Sequence, residues 1–229
     1  DHLRETELDA LSFELAISEA NNNCLLREKY DVQKKLTNVI SYLHSSDLVA
    51  DCPVLGELKI DVAYGGNFYA IVDVQKSFKG LEHYAADKLI AWARELRKNI
   101  NAKYTFVHPQ DETINGCSHI LWTGSVIDPA STARNAVFYG DGAIDRSPCG
   151  TGTSARMAQR FARGLLKPGE QYVHESFIGS QFTGRVEAVT EVAGCPAIVP
   201  SIEGWAHVFG YNQIRIDDAD PYAEGFLVR

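Results

Sequence analysis

The sequence predicts an α+β fold. Short segments rich in β-branched and aromatic residues recur along most of its length, glycines and turn residues separate them, and only a few stretches show helical spacing. The 229 residues are 45% apolar, enough to bury one large core or two small ones.

The elements follow in order. Leu8, Leu11 and Leu15 recur at helical spacing and predict a helix over about 7–19, broken by Asn21, Asn22 and Asn23. Leu58, Ile60 and Val62 alternate with Lys59 and Asp61, as in a half-buried strand. Tyr64 to Asn67 reads as a turn and Phe68 to Val74 as a second strand, so the pair is a hairpin. Leu81, Ala85, Leu89, Trp92 and Leu96 mark the apolar face of a helix ending near Lys98. Tyr104–Val107, Ser118–Thr123 and Ala136–Tyr139 read as strands. After a turn at Lys167 to Glu170, further strands are expected at Gln171–Ser176, Gly184–Val192, Ala197–Pro200, Trp205–Tyr211 and Gln213–Ile216. A domain boundary is expected near Lys76 to Gly80.

Composition excludes several function classes. A net charge of −8 gives no electrostatic footprint for nucleic acid or an anionic membrane. No run of about 18 unbroken apolar residues suggests a transmembrane helix, and the first residues do not form a secretory signal. The five cysteines, Cys24, Cys52, Cys117, Cys149 and Cys195, are odd in number and irregularly spaced, which fits a reducing cytoplasm better than a disulfide framework. Cys117 and His119 make a lone C-x-H, too little for a metal site. Without a P-loop or a strand-linked G-x-G-x-x-G, nucleotide cofactors have no cradle. No cofactor and no metal are expected.

One segment carries chemistry: Asp145-Arg-Ser-Pro-Cys-Gly-Thr-Gly-Thr-Ser154, followed by helical character with Ala155, Ala158 and Ala162 on a small-residue face. Pro148 favours an extended or turn entry, and Gly150 and Gly152 let backbone approach a ligand. Cys149 therefore falls at a helix start, where free amides and the helix dipole stabilise a thiolate. The same amides, with the hydroxyls of Thr151 and Thr153, form a nest for a carboxylate. A thiolate beside a carboxylate cradle suits chemistry at the α-carbon of an amino acid. Three alternatives stand beside it. One is a buried structural cysteine at a Gly-rich cap. Another is a phosphatase loop, for which Arg156 comes one residue too late. The third is a Cys–His hydrolase using His108, His119, His174 or His207.

The Asp145–Ser154 segment resembles the second catalytic motif of the proline racemase family, which includes 4-hydroxyproline 2-epimerases and trans-3-hydroxyproline dehydratases. Asp61–Val72, Arg134–Asp141, His174–Ser180 and Ile198–Trp205 also resemble it, so the likeness runs from about Asn38 to the end. The resemblance implies a diaminopimelate-epimerase-like fold of two similar barrel-like halves, each around a central helix, with the substrate between them. It implies cofactor-independent proton transfer by two cysteines on opposite faces of the α-carbon. Cys149 matches the second catalytic cysteine. Gly150 and Thr151 match carboxylate-binding positions, and Asp145 matches the acid that holds the substrate ammonium. Tyr139 matches an aromatic wall, and His119 lies on a strand that contributes to the pocket. An α-proton is only weakly acidic, so its removal requires electrostatic relief of the developing carbanion, and amides on the carboxylate supply that.

The family's first motif, Met-Cys-Gly-His, does not occur here, and Cys24 lacks the following Gly-His. The expected organisation is residues 1–36 as an unmatched helical segment and 37–80 as the remainder of an incomplete amino-terminal half. Residues 81–200 form the half bearing Cys149, and 201–229 return onto the amino-terminal half. A cysteine at position 149 favours racemase or epimerase chemistry over dehydration. Asp145 to Cys149, with Tyr139-Gly-Asp nearby, is most similar to hydroxyproline 2-epimerases. The expected substrate is an imino acid, 4-hydroxyproline first and proline second. An inactive member that binds such ligands or a partner is the reading from a different class. No nucleic acid or membrane partner is expected, and apolar surface left uncovered by an incomplete amino-terminal half would favour oligomerisation, such as a homodimer.

Overall fold

The computed structural model describes residues 34–205, 213, 215–223 and 225. Eight strands close into a barrel: β2 (Ser41–Cys52), β3 (Gly56–Tyr64), β4 (Phe68–Val72), β7 (Cys117–Gly124), β8 (Ala133–Tyr139), β10 (Gln171–Glu175), β11 (Gln181–Val192) and β12 (Cys195–Gly204). Closure comes from β12 pairing back onto β2 through Ala197↔Tyr42 and Ile198↔Ser41. Short β1 (Lys34–Thr37) extends the β12 edge, and β9 (Ala143–Ile144) pairs with β8. β5 (Val107–His108) and β6 (Asp111–Asn115) make a separate two-stranded ribbon.

Two helices cover the two faces of this sheet. Helix α1 (Ala86–Lys103) lies outside and buries Leu89, Ala93, Leu96 and Ile100 against the outward residues Phe68, Ile120, Trp122, Ala136 and Phe138. Helix α2 (Gly150–Ala162) runs inside the ring, and every residue from Gly152 to Gln159 is buried. Small side chains make this possible. Ala155 packs against Ala63, Tyr69, Ile71, Leu121 and Val137, the inward residues of β3, β4, β7 and β8. With both faces covered, these strands read as continuous apolar runs rather than alternating ones.

The hairpin of β3 and β4 and the strands β7, β8, β10, β11 and β12 lie where the sequence predicts them, with ends shifted by a few residues. The second helix begins later, after a 3-10 turn at Leu81–His83, and runs on to Lys103. Tyr104 is therefore a helix cap, and of the expected Tyr104–Val107 segment only Val107 is strand, paired off in the short β5 with His108. Ala162 is exposed rather than on the packed face of α2. The expected helix over 7–19 and Cys24 lie outside the described residues, as does most of Trp205–Tyr211. Residues 213, 215 and 216 are not strand.

The expected boundary at Lys76 to Gly80 does not divide the barrel. β4, before it, pairs in parallel with β7, after it, from Phe68↔Cys117 to Val72↔Trp122. Residues 41–72 thus belong to the same barrel as Cys149, because α2 needs strands from both sides of that boundary to cover it.

Candidate active site

The barrel's interior pattern decides what surrounds Cys149. Successive strand residues point to opposite faces. Tyr69 on β4 is paired with Ala63 on β3 and His119 on β7. On β8, Tyr139 lies one position beyond the Ile120↔Phe138 pair, opposite His119. Ile120 and Phe138 face outward onto α1, so Ala63, Tyr69, His119 and Tyr139 form a row on the inner face. The Tyr69 and His119 rings sit 4.7 Å apart. Tyr139, at the rim, is 45% exposed.

Against this row stands the start of α2. Cys149 is its N-cap, with φ 67° and ψ 116°. A side chain in this region of positive φ is strained by about 1–3 kcal/mol and persists only if its surroundings over-determine it. They do so at several points. The Cys149 amide donates to Ser147 Oγ (3.0 Å), and the Ser147 amide donates to Asp145 Oδ1 (2.8 Å). Asn135 Nδ2 donates to the Pro148 carbonyl (2.9 Å), and Thr153 N–H closes the first turn on the Cys149 carbonyl (2.8 Å). Ser180 Oγ holds the Arg146 carbonyl at 3.0 Å.

Three polar groups face the sulfur. The Gly152 amide donates to Cys149 Sγ at 3.4 Å, the Tyr69 hydroxyl lies at 3.4 Å, and Thr151 Oγ1 at 3.7 Å. Tyr69 and Thr151 also bond each other at 2.6 Å. Two glycines permit this closeness. A methyl group on Gly152 would lie 3.2 Å from both Cys149 Sγ and Tyr69 Cε1, and one on Gly65 would strike the backbone of Thr151 and Ala155. Gly150 meets nothing within 4 Å on its open side. The amides of Gly150 and Thr151, in the first turn, have no acceptor within the helix.

Electrostatics here departs from the expectation of a stabilised thiolate. Burial and the neighbouring Asp145 charge push the Cys149 thiol above its ordinary value, against the hydrogen bonds from Tyr69, Gly152 and Thr151. Cys149 is therefore a thiol at rest. Burial, aided by the Arg97 charge, lowers His119 to about 4, so its imidazole is neutral near pH 7. Burial raises the Tyr69 phenol well above its ordinary value.

The residues singled out from sequence thus fall into two groups. Cys149, Gly150, Thr151 and Asp145 share one turn at the helix start, and His119 and Tyr139 flank one end of the β7–β8 pair. Thr153 does not join the carboxylate nest. Its hydroxyl turns inward to His174 Nδ1 (2.9 Å) and the Pro148 carbonyl (3.4 Å), and the residue is fully buried. Nor does His174 pair with the sulfur: it too is buried, and burial drives its pKa well below the ordinary value. Among the described residues no histidine hydrogen-bonds Cys149 Sγ, which leaves the Cys–His hydrolase reading without a pair; His207 lies outside them. Cys117 is buried, its thiol raised to about 12 and donating to the Phe68 and His119 carbonyls. Tyr69 and Asn135 are the site residues that sequence reasoning missed. The only signal for Tyr69 was its alternation with Ile71, two inward residues in a strand apolar on both faces.

Comparison with known proteins places the chain further. A family model described as proline racemase matches residues 5–227, so most of the span expected to be unmatched, 1–36, lies within it. Residues before Asn38 carry no short motif that resembles the family. A 4-hydroxyproline 2-epimerase of Spirosoma linguale is 67% identical over 194 residues, covering 85% of this chain and 58% of that protein. A 4-hydroxyproline epimerase of Brucella ovis is 60% identical over 200 residues, 87% of this chain and 60% of its own length. The crystal structure of a hydroxyproline epimerase from Agrobacterium vitis, with bound trans-4-hydroxy-L-proline, matches with a TM-score of 0.72 at 35% identity, over 86% of this chain and 56% of that one. The chain spans somewhat under two thirds of the length of these relatives.

Proposed function

This chain belongs to the proline racemase family, and from that premise we propose that it contributes one proton-transferring face of a 4-hydroxyproline 2-epimerase, interconverting trans-4-hydroxy-L-proline and cis-4-hydroxy-D-proline without a cofactor. The observation that carries the reading is the Cys149 sulfur at the mouth of a buried helix, beside the open amides of Gly150 and Thr151. The substrate carboxylate is received by those amides, where the helix dipole favours negative charge. Asp145 takes the ring ammonium. The α-carbon then lies beside Sγ. A cysteine protonated at rest is in the form that delivers a proton, and in the opposite direction its thiolate removes one. The amides relieve the charge that builds on the carboxylate as the α-carbon loses its proton. His119 and Tyr139 wall the ring, and the free, unpaired thiols at Cys52, Cys117, Cys149 and Cys195 accord with a cytoplasmic setting.

The names of the relatives support hydroxyproline over proline as the substrate. One experiment tests both substrates and the reaction class. The chain is incubated in deuterated water with trans-4-hydroxy-L-proline or with L-proline, and α-deuterium uptake and optical rotation are followed together. Uptake from hydroxyproline, abolished by Cys149→Ser, is the expected result. Inversion alongside uptake means that an opposing base acts with Cys149. Uptake alone means that Cys149 exchanges the proton on a single face. No uptake from either substrate contradicts the proposal.

A further inference from the structure

The hydroxyls of Tyr69 and Thr151 stand between the two things the site is built to meet, a thiolate and a carboxylate. Tyr69 Oη is 2.6 Å from Thr151 Oγ1 and 3.4 Å from Cys149 Sγ. Thr151 Oγ1 is farther from the sulfur, at 3.7 Å. Each hydroxyl has one proton, and at 2.6 Å one of them donates to the other. Two arrangements follow. In the first, Thr151 donates to Tyr69, and the Tyr69 proton points at the sulfur. In the second, Tyr69 donates to Thr151, and the Thr151 proton is free to turn outward. The two exclude each other, because Tyr69 cannot donate to both neighbours at full strength.

We infer that Tyr69 and Thr151 form a two-position hydrogen-bond relay through which a carboxylate bound at the helix start withdraws a donor from the Cys149 sulfur and makes its thiolate more basic. This rests on the proposed placing of the substrate carboxylate at Gly150 and Thr151. Without a carboxylate, a thiolate draws the first arrangement, since a hydrogen bond to a charged acceptor is the stronger one. A carboxylate at the amides of Gly150 and Thr151 draws the Thr151 proton to itself. Thr151 Oγ1 then accepts from Tyr69, and the sulfur keeps only the Gly152 amide. No covalent bond changes; each hydroxyl proton only rotates from one acceptor to another. The sulfur is thus least basic when the site is empty and most basic when there is an α-proton to take.

The surroundings hold Tyr69 in this role. It is fully buried. Its ring is fixed between His119, 4.7 Å away, and the helix start, where Gly152 leaves only 3.2 Å for an added methyl group. Its phenol stays protonated, as burial raises it well above the ordinary value. The ring therefore cannot swing away, and the hydroxyl can only choose between its two acceptors.

The test is the pH profile of Cys149 alkylation by chloroacetamide, with the modified peptide quantified by mass spectrometry, for the wild-type chain and Tyr69→Phe, each with and without saturating acetate. A site that is merely blocked slows alkylation but does not move the midpoint. Without acetate, Tyr69→Phe is expected to raise the midpoint by about one pH unit, a tenfold loss of thiolate at lower pH. With acetate, the ion's own charge raises both profiles, and the wild type rises further until the gap closes. Equal midpoints without acetate overturn the Tyr69 contact, and a gap that persists with acetate overturns the relay; neither result touches the proposed function. Profiles that do not respond to acetate in either protein contradict the carboxylate site itself, and the proposed function with it. A second variant guards against misfolding of the first. In Thr151→Val, Tyr69 has only the sulfur to donate to, so adding Tyr69→Phe raises the midpoint by the same amount with or without acetate. A gap that still closes in this background would overturn the relay.

Discussion

At the scale of single residues, Cys149 and Asp145 work against each other. The Asp145 carboxylate disfavours a second negative charge nearby and, with burial, lifts the thiol above its ordinary value. The same carboxylate is the proposed partner of the substrate ammonium. Asp145→Asn should therefore separate reactivity from activity. Alkylation of Cys149 at pH 8 is expected to speed up about three- to tenfold, the consequence of a thiol lowered by roughly half to one unit. Isotope exchange from hydroxyproline is expected to fall, because the cationic ring loses its anchor. Slower alkylation in this variant would show that Asp145 supports the thiolate instead. The sequence around Cys149 made its place at a helix start readable, because Pro148, Gly150 and Gly152 have few other uses there. It did not reveal that the thiol is raised, which comes first from burial inside a closed barrel and outweighs the hydrogen bond from Tyr69, eighty residues away.

At the scale of elements, the approach of the β3–β4 turn to α2 decides whether Cys149 is held at all. Gly65 lies so close to the helix start that a methyl group there would meet backbone atoms of Thr151 and Ala155, which cannot swing aside as a side chain can. A Gly→Ala change that a backbone accepts stabilises by about 0.4–1 kcal/mol. Gly65→Ala is expected to do the opposite and destabilise by about 1–3 kcal/mol through overpacking, read as a lower urea midpoint, with a change in Cys149 alkylation rate. Unchanged or increased stability would show that the turn and helix are not in contact. The barrel strand the sequence failed to reveal, β2, has a physical reason for being hidden. Its register shifts twice, between Leu43 and Ser45 and between Ser45 and Leu48, so its apolar residues do not alternate. Asp47 within it takes a φ of 54°, and its amide donates to Asp61 Oδ1 at 2.9 Å. A Ser-Ser-Asp run in mid-strand reads as a loop unless the partner carboxylate on β3 is known.

At the scale of the whole molecule, burial of polar groups inside the barrel ties stability to pH. His119, near 4, and His174, held well below its ordinary value by burial and the charges of Arg156 and Arg160, stay neutral in the folded chain while their unfolded counterparts titrate near 6.5. Below 6.5 the unfolded state binds more protons, so stability is full above that pH and declines as pH falls toward 4. Thermal melts between pH 7 and 4 should show this decline, and His119→Gln should make it shallower. A flat profile, or one that steepens in the variant, would contradict the burial of these rings. A second, more acidic loss belongs to the far end of α2. There burial raises Asp61 and Asp73, but bonds to Arg163, Arg156, Gln159 and others outweigh it and hold both carboxyls below their ordinary 3.8. This contribution is present above about 3.8 and disappears as the folded carboxyls protonate. The α+β class and most strands were legible because strand period and glycine punctuation are local signals. The barrel itself was implied by the family resemblance, but the pairings that close it were not legible in local signals. The parallel pairing of β4 with β7, and the return of β12 to β2, join segments far apart in sequence.

The claim on which all three scales depend is that a carboxylate is gripped beside the Cys149 sulfur. Protection of Cys149 from alkylation tests it most directly, comparing trans-4-hydroxy-L-proline with 3-hydroxypyrrolidine, the same ring without its carboxylate. Protection by the amino acid alone is the expected result. Equal protection by both compounds, or by neither, would contradict it.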